Sequence, residues 1–133
     1  MFTLMLIGLG LLAAAGAVIA LRRRQRQAAQ RAGQVLLQAT EAGDIEQMAV
    51  LLAQGAEVNA RNAYGWTPLH IAAVGGDPAV VTLLLRHGAD VHAQSHIGTT
   101  PLDNVTTRGG RKVVMDLLLA HGAKLNGAWD GSF

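Results

Sequence analysis

Two patterns of hydrophobic and polar positions divide the chain. From Met1 to Leu21 the side chains are apolar all round, with Thr3 the one polar residue and no charge. Further along, the apolar positions become periodic. Val80, Leu83 and Leu84 follow the i, i+3, i+4 spacing of a helix, and Val81, Leu84 and Leu85 repeat it, which predicts a wide buried stripe. Ile45, Met48, Ala49 and Leu52 fall at the same spacing, so the expected fold class is all-α.

The first segment is long enough to cross a bilayer. Twenty-one residues at about 1.5 Å rise give a helix of about 31 Å, close to the hydrocarbon thickness. Arg22, Arg23, Arg24, Arg26 and Arg31 follow directly, with no acid among them. Positive charge resists translocation, so a transmembrane helix at 1–21 would leave the basic juxtamembrane segment 22–31 and the rest of the chain on the cytoplasmic side. A cleaved signal peptide would carry its charge before the apolar run rather than after it. Gly8, Gly10 and Ala13 fit a dinucleotide fingerprint, but such a helix needs a polar outer face and a following strand, and neither is present. All-round apolarity also contradicts a helix lying in the membrane surface. Gly10 with Ala14 and Gly16 with Ala20 are small pairs of the kind that let spanning helices pack, although an alanine-rich segment contains such pairs by chance.

A repeat organises the remainder. The run Leu51 to Ala60 (LLAQGAEVNA) returns as Leu84 to Ala93 (LLRHGADVHA) and again as Leu118 to Gly127 (LLAHGAKLNG). The spacing is about 33 residues and lengthens by one at the second step, a period typical of stacked helical repeats. A second motif, Gly65-Trp66-Thr67-Pro68-Leu69-His70, returns after the same interval as Gly98-Thr99-Thr100-Pro101-Leu102-Asp103. Thr67 before Pro68 is a helix start, because the hydroxyl caps free amides and proline at the first helical position loses nothing. Asp77 before Pro78 starts a second helix by the same logic, and Gly88 supplies its left-handed stop.

These residues resemble the ankyrin-repeat family. The matching positions are Thr67-Pro68-Leu69-His70, Ala72-Ala73, Leu83-Leu84-Leu85, Gly88-Ala89-Asp90 and Val91. The resemblance implies an ankyrin-repeat solenoid, helix-turn-helix repeats joined by hairpin loops, over 32–127, with three repeats at about 32–62, 63–96 and 97–127 and a tail at 128–133. The first repeat lacks the Thr-Pro start, as terminal units often do. The third departs further: Asp103 replaces the family histidine, and Asn104 stands where Ile71 stood. Its second helix, with Val113, Val114, Leu117, Leu118 and Leu119, is as apolar as an internal one, so the tail with Trp129 and Phe133 is expected to cover it.

Composition removes whole classes of chemistry. The chain has 133 residues and no cysteine, which excludes disulfides, thiolate metal sites and thiol catalysis. Beyond residue 31 six basic side chains face nine acidic ones, and a body of net −3 does not attract nucleic acid. His87, His92 and His96 invite a metal reading, but nothing in the pattern makes the three converge; no metal or other cofactor is expected. His70 reads as structural, bonding the capping region of its own turn. The only serines are Ser95 and Ser132, neither placed for hydrolase chemistry, and no catalytic residue is expected. Nine arginines against two lysines, with many alanines, fit a bacterial source.

What remains is surface. In the family, partners are held by hairpin tips and the concave face of the first helices. Carried over, these are Ala63, Tyr64, Trp66, Val74 and Gly75 in repeat two, and His96, Ile97, Thr99, Thr107 and Arg108 in repeat three. Tyr64 and Trp66 stand out among only five aromatics, although Trp66 also suits packing over its own turn. Arg22, Arg23, Arg24 and Arg26 are placed to meet anionic lipid. The expected function is that of a membrane-anchored adaptor holding an unidentified protein partner at the cytoplasmic face. The alternatives are an exported protein acting outside the cytoplasm as an inhibitor or protective factor, and a structural subunit of a membrane complex, with self-association open.

Overall fold

A computed structural model describes residues 2–105 and 111–124. Among the described residues it contains six helices and no strand. They are α1 (Phe2–Ala42), α2 (Ile45–Ala53), α3 (Pro68–Gly75), α4 (Pro78–Arg86), α5 (Pro101–Asn104) and α6 (Arg111–Ala120). Paired in order, they make three helix-turn-helix units joined by loops at 54–67 and 87–100. Thr107, Arg108 and the tail at 128–133 lie outside the described residues, as does any cover the tail provides.

The helix ends follow the capping chemistry that the residue types predict. Asp44 accepts the Gln47 amide at 3.1 Å to start α2, and Asp77 accepts the Ala79 amide at 2.9 Å to start α4. Pro68, Pro78 and Pro101 each occupy a first helical position. His87 and His121 close α4 and α6 by donating from Nδ1 to the carbonyls of Leu83 and Leu117, at 3.0 and 2.8 Å.

Stacking of the units makes the core. Leu36, Leu69 and Leu102, each one repeat period from the next, are fully buried. Met48, Val81, Leu84, Val114 and Leu118 on the second helices join them in one cluster. No unit of two short helices could bury these side chains alone, so the stack is the folding unit. The last unit matches polarity to burial least well. The Nδ2 amide of Asn104 is buried and has no hydrogen-bond partner, while Val113 and Leu119 on α6 stay exposed. An apolar residue at the Asn104 position, as Ile71 is in repeat two, would carry no such unpaired donor.

The first helix departs from the divisions that charge suggests. α1 runs for 41 residues, about 60 Å, with no break at Leu21 or at residue 31. Its N-terminal part has a mean hydropathy of 2.5 and none of it is buried against the body, so it is not a core helix. Its C-terminal part is the first helix of repeat one, with Leu36, Leu37, Ala39 and Thr40 buried. The basic segment between them is helical, and the body already grips it: the Glu57 amide donates to the Ala29 carbonyl at 3.1 Å.

Gly33 makes that grip close. A Cβ there would stand 2.8 Å from Cβ of Ala60 and 3.1 Å from the Glu57 carbonyl oxygen. Gln34 adds a hydrogen bond from Nε2 to the Arg61 carbonyl at 3.3 Å. Replacing Gly33 with Val forces the loop off the helix despite any gain in helix propensity. The expected loss is about 1–3 kcal/mol of unfolding free energy, read as a lower urea midpoint at unchanged slope.

Candidate protein-binding site

The two inter-repeat loops stack as a pair of hairpins. In the first, Oδ1 of Asn62 accepts the amides of Tyr64 and Trp66 at 2.9 and 3.0 Å, folding the tip into an Asx turn. In the second, Ser95 holds the equivalent place, its Oγ accepting the Thr99 amide at 3.2 Å and meeting the Thr99 hydroxyl at 2.7 Å. The hairpins are tied to each other along their length. The His96 amide donates to the Tyr64 carbonyl at 3.0 Å, and the Asp90 amide donates to Asn59 Oδ1 at 2.9 Å. The Arg61 guanidinium reaches across, donating to the carbonyls of Gly65 and Gln94. Gly65 sits at φ 76° with the His96 ring 2.5 Å from where a Cβ would be, so only glycine permits this approach.

His70 ties the second hairpin to the helix of the repeat before it. Its Nδ1 lies 3.1 Å from the Thr67 amide and 2.9 Å from the Thr67 hydroxyl, closing a capping box on α3. Because Nδ1 accepts from that amide, Nε2 carries the proton and donates to the Thr99 carbonyl at 2.8 Å. The ring is fully buried, and burial pushes its pKa below the usual histidine value of 6.5, against the opposing pull of the Thr99 carbonyl. In repeat three Asp103 takes over the capping half of this task, with Oδ2 accepting the Thr100 amide at 2.8 Å and the Thr100 hydroxyl at 3.0 Å.

Where hairpins and first helices meet, the surface forms a cavity of about 580 Å³. Glu41, Asn62, Ala63, Tyr64, Trp66, Ile71, Val74, His96 and Ile97 line it. Tyr64 and Ile97 occupy equivalent tips on successive hairpins and are 73% and 85% exposed. Trp66 is half-buried and stacks on His70, ring centroids 6.2 Å apart at 17°, and it lines the cavity. An open hollow with apolar walls and a few polar groups at its edge offers shape and hydrophobic contact to a protein surface. Among the described residues no three His, Asp or Glu side chains are grouped so as to hold a metal ion.

A family model for ankyrin repeats in three copies matches residues 33–128. The chain is an ankyrin-repeat protein. No curated protein matches it. Ankyrin repeats are protein-interaction modules, typically without catalytic activity, and the site is therefore considered as a binding surface.

Six of the ten surface positions carried over from the family line the ankyrin groove: Ala63, Tyr64, Trp66, Val74, His96 and Ile97. Gly75 and Thr99 do not. Thr99 instead gives its carbonyl to His70 and its hydroxyl to Ser95. Thr107 and Arg108 lie outside the described residues. Glu41, Asn62 and Ile71 line the groove without having been expected there. The period would have found Glu41, which precedes Val74 by one repeat length, and helical spacing would have found Ile71, one turn before Val74 on α3. Arg22, Arg23, Arg24 and Arg26 all lie on the exposed basic stretch of α1.

His70 sets a pH dependence for the ankyrin body. Its folded-state pKa is depressed, so the unfolded chain binds the extra proton more readily, and stability is complete above about 6.5 and falls as pH drops below it. Urea midpoints measured from pH 7.5 down to 5 should decline through this window. Replacement of His70 with Asp, the residue repeat three uses for its cap, should flatten that part of the profile.

Proposed function

We propose that this ankyrin-repeat protein is anchored in a membrane by the first half of α1 and uses its groove to hold a protein partner at the cytoplasmic face. The carrying observation is the pairing of Tyr64 and Ile97, two large apolar side chains left exposed on adjacent hairpin tips, lining one hollow with Trp66. Side chains that contribute nothing to the core and stand together over a preformed hollow are suited to bury themselves against a partner. A double replacement of Tyr64 and Ile97 by Ala should leave stability within about 0.5 kcal/mol while partner capture falls at least about tenfold. Photo-crosslinking from position 64 in cells measures the capture, and unchanged capture in the double variant removes the groove from the function.

Support for the anchor comes from the apolar run, from its complete lack of burial and from the arginines placed after it. Continuity of α1 adds to this support, because the apolar run and the first helix of repeat one belong to one unbroken helix. Reporter fusions to the C-terminus test the arrangement. A reporter active only in the cytoplasm should score and one active only outside should stay silent; the reverse result selects the exported alternative.

A further inference from the structure

The loop that closes the first ankyrin repeat overhangs the basic middle stretch of α1. At about 100° per residue, Arg22 falls within about 40° of Gly33, Leu36 and Thr40, on the face gripped by the body, and Arg26 within about 40° of Gly33 and Thr40. Arg23 and Arg24 lie about 100° and 160° round from Arg22. The arginines, all exposed, thus divide into a pair on the side of the helix that faces the cleft and a pair turned away from it. Between the first pair and the loop after α2 is a cleft of about 740 Å³, lined among others by Arg22, Gln25, Arg26, Ala29, Gln54 and Gly55. No acidic residue lines it. The nearest carboxylate along the loop, Glu57, lines the neighbouring cleft with Arg31 and Arg61, and its Oε1 accepts the Asn59 amide.

Depth decides what such a cleft meets. Arg22 directly follows the apolar run, and Arg26 is about 6 Å further along the helix. The polar headgroup layer adds roughly 5–7 Å to each side of the hydrocarbon core, so both guanidinium groups stand at headgroup level. Two arginines one turn apart present donor forks suited to phosphate oxygens. Gln54 adds a carboxamide from the opposite wall.

We propose that this cleft holds the phosphate of an anionic phospholipid headgroup, gripped by Arg22 and Arg26 on α1 and roofed by Gln54 and Gly55; the site rests on the reading of α1 as a membrane anchor. It differs from a diffuse basic patch because two of the four arginines bind and two do not. It also ties the lipid to the body, since the roof belongs to the first repeat.

The full chain in a neutral detergent provides the test, with dioctanoyl phosphatidylglycerol, dioctanoyl phosphatidylcholine and inorganic phosphate as probes and native mass spectrometry as readout. Phosphatidylglycerol should bind the parent chain, and the Arg22→Gln/Arg26→Gln pair should weaken it at least about tenfold. Arg23→Gln/Arg24→Gln removes the same charge and should change binding less than about twofold. Gln54→Glu leaves α1 untouched and should also weaken binding. Equal losses in the two arginine pairs, equal binding of phosphatidylcholine, or full occupancy by inorganic phosphate alone each overturn the headgroup site. An alkaline wash of cell membranes reports the anchor separately. Chain that stays in the pellet yet binds no phosphatidylglycerol overturns the site alone, whereas chain that washes off overturns the anchor and the site with it.

Discussion

A Cβ at residue 33 would come within 2.8 Å of its neighbour on the first hairpin, and the missing atom is what lets residues 57–60 close on α1. Once that contact forms, the Glu57 amide reaches the Ala29 carbonyl and Gln34 reaches Arg61. Arg61 is then held where its guanidinium bridges to Gln94 on the second hairpin. The Tyr64 carbonyl and the His96 amide follow in register. Each step places the next, so the groove between hairpins and helices depends on how closely the first hairpin approaches a helix that began far outside the body.

Much of this is legible in the residues. A period of about 33 residues with recurring cap, proline and glycine positions specifies helix starts and stops, and Leu36, Leu69 and Leu102 mark the buried column at that period. The groove is legible at the hairpin tips, where Tyr64 and Ile97 occupy one repeat position and stay exposed. Legibility fails where a side chain's partner lies in another repeat. Thr99 is expected at the partner surface because it occupies one of the positions carried over from the family. Its carbonyl is instead taken by His70, 29 residues earlier, and no local pattern announces that bond. Glu41 escapes notice for a related reason: it sits at the end of a helix that reads as a terminal unit, although its repeat position is that of Val74.

The contrast between His70 and Asp103 shows what position in the stack demands of a side chain. An imidazole has two nitrogens, and His70 uses one to cap its own helix and the other to bond the hairpin of the following repeat. A carboxylate is a stronger acceptor for the cap but, when ionised, has no proton to donate across a boundary. Asp103 uses its carboxylate on the Thr100 amide and hydroxyl, the capping half of the task. Asn104 in the same short helix is the less favourable exchange, because its buried amide gains no partner in return.

Continuity of α1 has a mechanical consequence for binding. A flexible linker would let the ankyrin body sample a wide volume above the membrane and lower the effective concentration it presents to a partner in the same bilayer. Here one helix carries both the apolar run and the inner wall of repeat one, and Glu41 at its far end lines the groove itself. With the apolar run in a bilayer, about twenty residues of helix separate Leu21 from Glu41, placing that edge of the groove about 30 Å along the helix from the hydrocarbon boundary. The return of the chain at Gln54 to Glu57 fixes rotation as well as height, because it closes on one face of α1 only. A partner able to use the groove must offer its binding segment at that height and on that side. On the proposed anchor, the body would select by position as well as by surface chemistry.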